Sequence, residues 1–419
     1  MSLPLSLFGQ EEEQQIHPLL MGVELSERQL IEVLKRSISS NPKNSQHWLM
    51  LGSAWESTLQ YDSAAYSYVK AFELDTTCVK CKQQLAGVMA ARGMVKEAIG
   101  FYNKTLSLDS TNTTARIQLA RLLKRESRFR ESLQHFEWLL KSDTTNFYLW
   151  EQVGDCSMRV DSIGKGLQSY NKSFELNPAN MPLAVKLINA FLQTGIPPLF
   201  YMEIANIALE HDSTYLPLVR AKGYLHFLSQ DYQNSEVWFN KAYELGDSTR
   251  FTLKFLGINK YHNGSFFNST IFLEKAFAID TTDKALNFVY AKSLIEIGDR
   301  NMAIEILDLT ERVITPSNEE MGMLYATKAE AYSRGQNYAK AIEQYSKALE
   351  LNPEQLEYLF EIGVCHFNSK ELSASLSVLN RFLQLAEVEQ PKKGSTSKRI
   401  PSANYYIKRI EKELFFLDQ

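Results

Sequence analysis

The 419 residues are 44 % hydrophobic and 22 % charged, which is enough apolar side chain for a packed core and unlike the sparse, highly charged composition of a disordered chain. Forty-five Lys and Arg against forty-nine Asp and Glu leave a net charge of −4, without the basic excess that binding a nucleic-acid backbone demands. No run reaches the about 18 apolar residues that a bilayer-spanning helix needs, and 12 prolines with 19 glycines are too few for a turn-rich β fold.

Residues 1–25 stand apart. Ser2 to Gln10 is a short apolar run that stops at Glu11-Glu12-Glu13, and it reads as the tail of a secretory signal. That reading favours a periplasmic or envelope-associated chain over a cytoplasmic one; a frayed, weakly apolar terminus is the alternative. Residues 26–44 follow, where Leu30 to Ser40 has helical spacing and ends at Asn41-Pro42, as a capping helix in front of the main body.

Residues 45–389 are periodic. Gly52, Gly154, Gly257 and Gly363 are spaced by 102, 103 and 106 residues, close to multiples of 34. Ten units result, starting near 45, 79, 113, 147, 181, 216, 250, 284, 322 and 356. The eighth place is Gly or Ala in all units but the fifth, which has Ile188, and the twentieth is small at Ala64, Ala98, Ser132, Gly166, Ser235, Ser269, Ala303, Ala341 and Ser375. Small residues at fixed points mark where two helices approach closely. Gly52, Ala64, Gly154, Gly223, Gly257, Ala341 and Gly363 are therefore the predicted packing residues. Gly93, Gly195, Gly264 and Gly298 mark the turn between the two helices of their units, and Asp75, Asp109, Asp143 and Asp280 precede new units as expected helix caps. Unit five is irregular at Pro197-Pro198, unit six at Lys222 and His226, and four inserted residues fall near Pro316. Beyond the last unit, residues 390–401 read as a polar linker, and residues 402–419 as a capping helix with an apolar stripe at Tyr406, Ile407, Ile410 and Leu414.

These units resemble tetratricopeptide repeats. Trp48, Leu51, Gly52, Trp55, Ala64, Tyr68 and Ala71 carry the resemblance in the first unit, and Tyr332, Ala341, Tyr345, Ala348 and Pro353 in the ninth. It implies an all-α fold: a right-handed α-α superhelix, one continuous solenoid of about ten helix-turn-helix repeats with caps at both ends. It also implies ligand binding on the concave face, lined by places 2, 5, 9, 12 and 13 of the first helices. In units six to eight those places and their neighbours give an aromatic and basic stripe of Arg220, Tyr224, Phe227, Phe251, Lys254, Ile258, Tyr261, Phe288 and Lys292, the predicted peptide groove. Unit four offers Tyr148, Glu151 and Asp155, a zone of opposite charge. The Lys and Asn with which some relatives clamp a C-terminal carboxylate are replaced by Leu49 and Ser53 in unit one, and by Gln83 and Gly87 in unit two.

Chemistry has little room. No phosphate loop, dinucleotide fingerprint or HExxH pair occurs, so no catalytic residue, cofactor or metal is expected. Cys78-Val79-Lys80-Cys81 lies at a predicted helix start, where a thiolate is stabilised; without a βαβ setting it is read as structural, its oxidation state open. Lys392, Lys393, Lys398 and Arg399 read as solvated. The expectation is a non-enzymatic scaffold that binds an extended peptide or partner protein, in a bacterial envelope assembly if the N-terminus is a signal. A cytoplasmic adaptor or co-chaperone-like repeat protein is the alternative, and an RNA-binding repeat protein is disfavoured by the pI near 6.1.

Overall fold

The computed structural model describes residues 26–313, 317–389 and 396–417, and those residues contain helices and no strand. The N-terminal segment 1–25, with its signal-like run, lies outside them. The described residues form helix pairs of an all-α repeat fold and fall into two compact units, divided between residues 193 and 194, which are taken in turn. The first holds α1 (Glu27–Ser40), α2 (Ser45–Ser57), α3 (Tyr61–Leu74), α4 (Val79–Ala91), α5 (Val95–Leu108), α6 (Thr113–Arg125), α7 (Phe129–Leu140), α8 (Phe147–Arg159), α9 (Ile163–Leu176) and α10 (Met181–Leu192). The second holds a 3₁₀ turn (Pro198–Tyr201), α11 (Met202–His211), α12 (Leu216–Leu228), α13 (Tyr232–Glu244), α14 (Arg250–His262), α15 (Phe266–Ile279), α16 (Lys284–Ile297), α17 (Arg300–Val313), α18 (Asn318–Arg334), α19 (Tyr338–Leu351), α20 (Leu356–Asn368), α21 (Leu372–Glu389) and α22 (Thr396–Leu417).

The boundary falls inside the fifth repeat, between its helices α10 and α11. Pro197 and Pro198 supply no backbone N–H and force a 3₁₀ turn, so α11 keeps only 10 residues. The insertion near Pro316 is partly absorbed by α18, which runs to 17 residues against 12 to 14 in the other first helices. At the C-terminus the expected linker is shorter than 390–401, because α22 already begins at Thr396 and carries Pro401 inside it.

Packing gives the two small places a cause that reaches beyond helix approach. A Cβ on Gly52 would stand 2.5 Å from the Tyr68 ring, one on Gly154 2.4 Å from Tyr170, and one on Gly257 or Gly363 2.5 or 2.6 Å from Leu273 or Leu379. Place 8 is thus the seat for the large side chain at place 24. Gly223 is looser, with Phe239 at 3.1 Å. Place 20 does more than stay small: the Ser132, Ser235, Ser269 and Ser375 hydroxyls each donate to the carbonyl of place 8 in their own repeat at 2.8 Å. The ladder continues into the next repeat, where Asn259 Nδ2 donates to Ser235 Oγ at 2.7 Å and Ser293 Oγ lies 2.9 Å from Ser269 Oγ. Buried hydroxyls are in this way satisfied without water. Ala64 and Ala341 fill the same place by size alone, both fully buried.

The inter-repeat turns also differ from expectation. Asp75, Asp109, Asp143 and Asp280 do not cap the following helix; each accepts from the backbone N–H and hydroxyl of the Thr two residues on. The caps come from the last place of the period. Asn44, Asn112, Asn146, Asn180 and Asp283 accept helix-start amides there, and Cys78 occupies the same place before α4. Cys78 is joined to Cys81 by a disulfide.

Candidate functional site

In residues 194–419 the first helices α12, α14, α16 and α18 touch one another in succession. Each groove residue read from the sequence lies on α12, α14 or α16. The structure sorts them into three groups.

The first takes part in packing, although Phe251 stays 39 % exposed. Tyr224, Phe227 and Phe251 surround Phe255, with ring centroids 5.1, 4.8 and 4.7 Å away. These rings hold α12 against α14. Ile258 is 5 % exposed, inside the core and out of reach of a ligand. The second group is charged and already paired. Arg220 lies 3.5 Å from the buried Asp247, and Lys254 donates to both oxygens of Asp283 at 2.9 and 2.7 Å. Burial works against ionisation of Asp283, but the hydrogen bond and charge of Lys254 outweigh it and hold the carboxyl below its ordinary range.

Tyr261, Phe288 and Lys292 form the third group; Tyr261 packs against His262 and Phe266, while the other two face an opening. Phe288 and Lys292 line a cleft of about 280 Å³ together with Met323 and Glu330 of α18, Glu361 of α20 and Arg399 of α22. Lys292 makes no ion pair among the described residues. Burial raises the Tyr261 hydroxyl above its ordinary value, and the charges of Glu330 and Glu296 add to the effect, so Tyr261 shares their field. Glu361 is pushed up by burial and by Glu330, against the pull of Arg399, whose Nη2 is 3.1 Å away. Arg399 also stands over the Phe360 ring at 5.2 Å, so a residue expected to be only solvated is exposed and at the same time docked on the cleft.

The sequence reading left Glu330 and Glu361 unnamed and took Arg399 for a solvated residue. Glu330 holds place 9 of its repeat, as Lys292 does in the one before, and following the stripe one repeat further finds it. Arg399 lies beyond the period and gives no such signal.

In residues 1–193 the acidic zone of unit four is closed by its neighbours. Asp155 receives Lys124 at 2.5 Å and the Tyr170 hydroxyl at 2.7 Å, Lys186 bonds Glu151 at 2.7 Å, and Arg121 donates to the Tyr148 hydroxyl at 2.9 Å. Among the described residues no helix is long and apolar enough to cross a membrane, and no cluster of His, Cys, Asp or Glu is arranged to hold a metal.

The Tetratricopeptide repeat family model matches residues 327–389. No curated protein sequence matches the chain. Among solved structures, YrrB, described as a TPR protein with an unusual peptide-binding site, is 16 % identical, with 46 % of this chain and 98 % of that one covered and a TM-score of 0.41. The APC/C hetero-tetramer Cut9-Hcn1 is 13 % identical over 95 % of this chain and 97 % of that chain, at 0.43. A tetratricopeptide repeat protein from Parabacteroides merdae is 14 % identical over 60 % and 98 %, at 0.40. The match to the tetratricopeptide repeat family covers residues 327–389, and the other described repeats are helix pairs of the same period.

Proposed function

We propose that the chain is a non-enzymatic scaffold that holds an extended segment of a protein partner along the cleft of α16, α18 and α20. The observation that carries this reading is the cleft itself: it is lined by Phe288, partly buried against the core, and by Lys292, which has no ion pair among the described residues, while Lys254 one repeat earlier is paired with Asp283. Aromatic residues are enriched at interface cores, and Lys292 has no ion pair among the described residues to give up when it meets a carboxylate. The electrostatics suit a segment of mixed charge, with Lys292 toward one side and Glu330 and Glu361 toward the other.

The envelope setting is supported by the Cys78–Cys81 disulfide, because disulfides persist in oxidising compartments. The test begins with affinity capture from native extract and identification of the partner by mass spectrometry, where two free thiols instead of four are expected in the native chain. The purified partner is then titrated against wild type and a Phe288→Ala, Lys292→Ala variant. A loss of tenfold or more in affinity with unchanged melting is expected; equal affinities would remove this cleft as the site.

A further inference from the structure

We propose that Cys78 and Cys81 form a thiol–disulfide exchange site at the start of α4, which takes electrons from a dithiol in a peptide or protein segment. This activity is separate from the cleft and stands on three observations.

The first is position. Asn44, Asn112, Asn146 and Asn180 cap α2, α6, α8 and α10 with a side-chain oxygen, and Cys78 stands in that place for α4. Its sulfur accepts the Cys81 N–H at 3.1 Å. A sulfur in that seat sits on the positive end of the helix, where the thiolate is stabilised and therefore leaves readily. The second is access. Cys78 is half-buried, whereas Cys81, one turn into the helix, is 1 % exposed. An incoming thiol reaches Cys78 first. The third is selectivity: Cys156 and Cys365 are buried, and burial pushes both thiols above their ordinary value. Charged residues next to the pair in the sequence are the exposed Lys80 between the two cysteines, Lys82, whose ammonium is held on the Thr76 carbonyl at 3.0 Å, and Asp75, whose carboxylate is tied to Thr77.

The exchange balances without a further oxidant. A substrate thiol loses its proton to water and its thiolate attacks Cys78 Sγ; the Cys78–Cys81 bond breaks, and Cys81 leaves as a thiolate that takes up a proton. The second substrate thiolate then attacks the substrate sulfur of the mixed disulfide and expels Cys78 as a thiolate on the helix N-terminus. The substrate gains a disulfide, and the chain's pair gains the two electrons.

The test uses the full oxidised chain and a synthetic peptide with two cysteines at pH 7. Stoichiometric peptide oxidation at least tenfold faster than by glutathione disulfide at equal concentration is expected, with a mixed disulfide mapped to Cys78 in the Cys81→Ser variant. In the reduced wild-type chain, iodoacetamide should label Cys78 at least tenfold faster folded than unfolded in urea, and faster than Cys81. Peptide oxidation no faster than by glutathione disulfide overturns the proposal. So does equal labelling in the folded and unfolded chain, which needs no variant to fold.

Discussion

Residues 1–193 and 194–419 both carry carboxylates on the first helices of their repeats, yet they treat them in opposite ways. Asp155 of α8 is enclosed by Lys124 of α6, Lys186 of α10 and the Tyr170 hydroxyl. Burial opposes its ionisation, but those partners outweigh burial and hold its carboxyl below the ordinary range. Glu361 of α20 is also withdrawn from water and has Arg399 at 3.1 Å, but Glu330 shares its cleft and the carboxyl stays above the ordinary range. A carboxylate on a first helix, at place 9 as Asp155 or place 6 as Glu361, is a fastener in one unit and a partly buried group that resists ionisation in the other. What decides is how many cations the adjacent repeats supply.

The sharpest way to break the first arrangement is through its glycine. Gly154→Leu drives a side chain into Tyr170, whose hydroxyl bonds Asp155, so packing and charge network fail together. A loss of about 3 kcal/mol or more is expected in urea denaturation, an overpacked core with a buried bond removed. Wild-type stability would mean that Tyr170 is not seated on place 8.

Acid titration sets the two carboxylates against each other. Asp155 binds its proton less readily folded than unfolded, so its contribution is complete above the unfolded value of about 3.9 and fades as pH falls through the lower folded value. Asp155→Ala should cost about 2 kcal/mol at pH 7 by leaving Lys124, Lys186 and Tyr170 short of a partner, and less in strong acid. Glu361 has the opposite sign. The folded chain holds its proton more tightly, so stability declines as pH rises from the unfolded value of about 4.3 toward the higher folded value. Glu361→Gln removes that decline and should melt at or above wild type at pH 7. Melting curves of both variants between pH 3 and 8 check the pair; parallel pH profiles would erase the distinction.

Much of this was legible in the sequence, and the part that was not has a common reason. The period, the seats at Gly52, Gly154, Gly257 and Gly363, and the breaks at Gly93 and Gly298 follow from residue size and backbone tolerance, which repeat every 34 positions. Partners do not follow from the period. Lys254 looked like a ligand-facing cation because Asp283, 29 residues away, is in another repeat's approach turn. Tyr224 looked like an anchor because its neighbour Phe255 falls outside the concave places, whereas Phe251 touches the same ring and keeps an exposed face. Arg399 could not be assigned to the cleft at all, since a helix beyond the repeats carries it there. Local rules write the scaffold, while the site depends on contacts between repeats.

The smallest effect concerns a place where both units behave alike. Place 15, the turn between the two helices, is left-handed in every repeat, with φ of 78° at Gly93, 71° at Gly195, 77° at Gly264 and 91° at Gly298. The other six repeats adopt it without glycine, at Leu59, Ser127, Asp161, Gln230, Gln336 and Lys370, with φ between 58° and 62°. An L side chain there costs about 1–2 kcal/mol, and glycine removes that strain while adding about 0.5–1 kcal/mol of chain entropy to be lost on folding. Lys370 is exposed, so its replacement sacrifices little packing. Lys370→Gly should therefore stabilise by about 0.5 kcal/mol, and Gly93→Ala should destabilise by about 1 kcal/mol, both read from urea midpoints at constant slope. A loss from Lys370→Gly would show that its side chain does more for the turn than its backbone costs, and that the six non-glycine turns are held by contacts outside themselves.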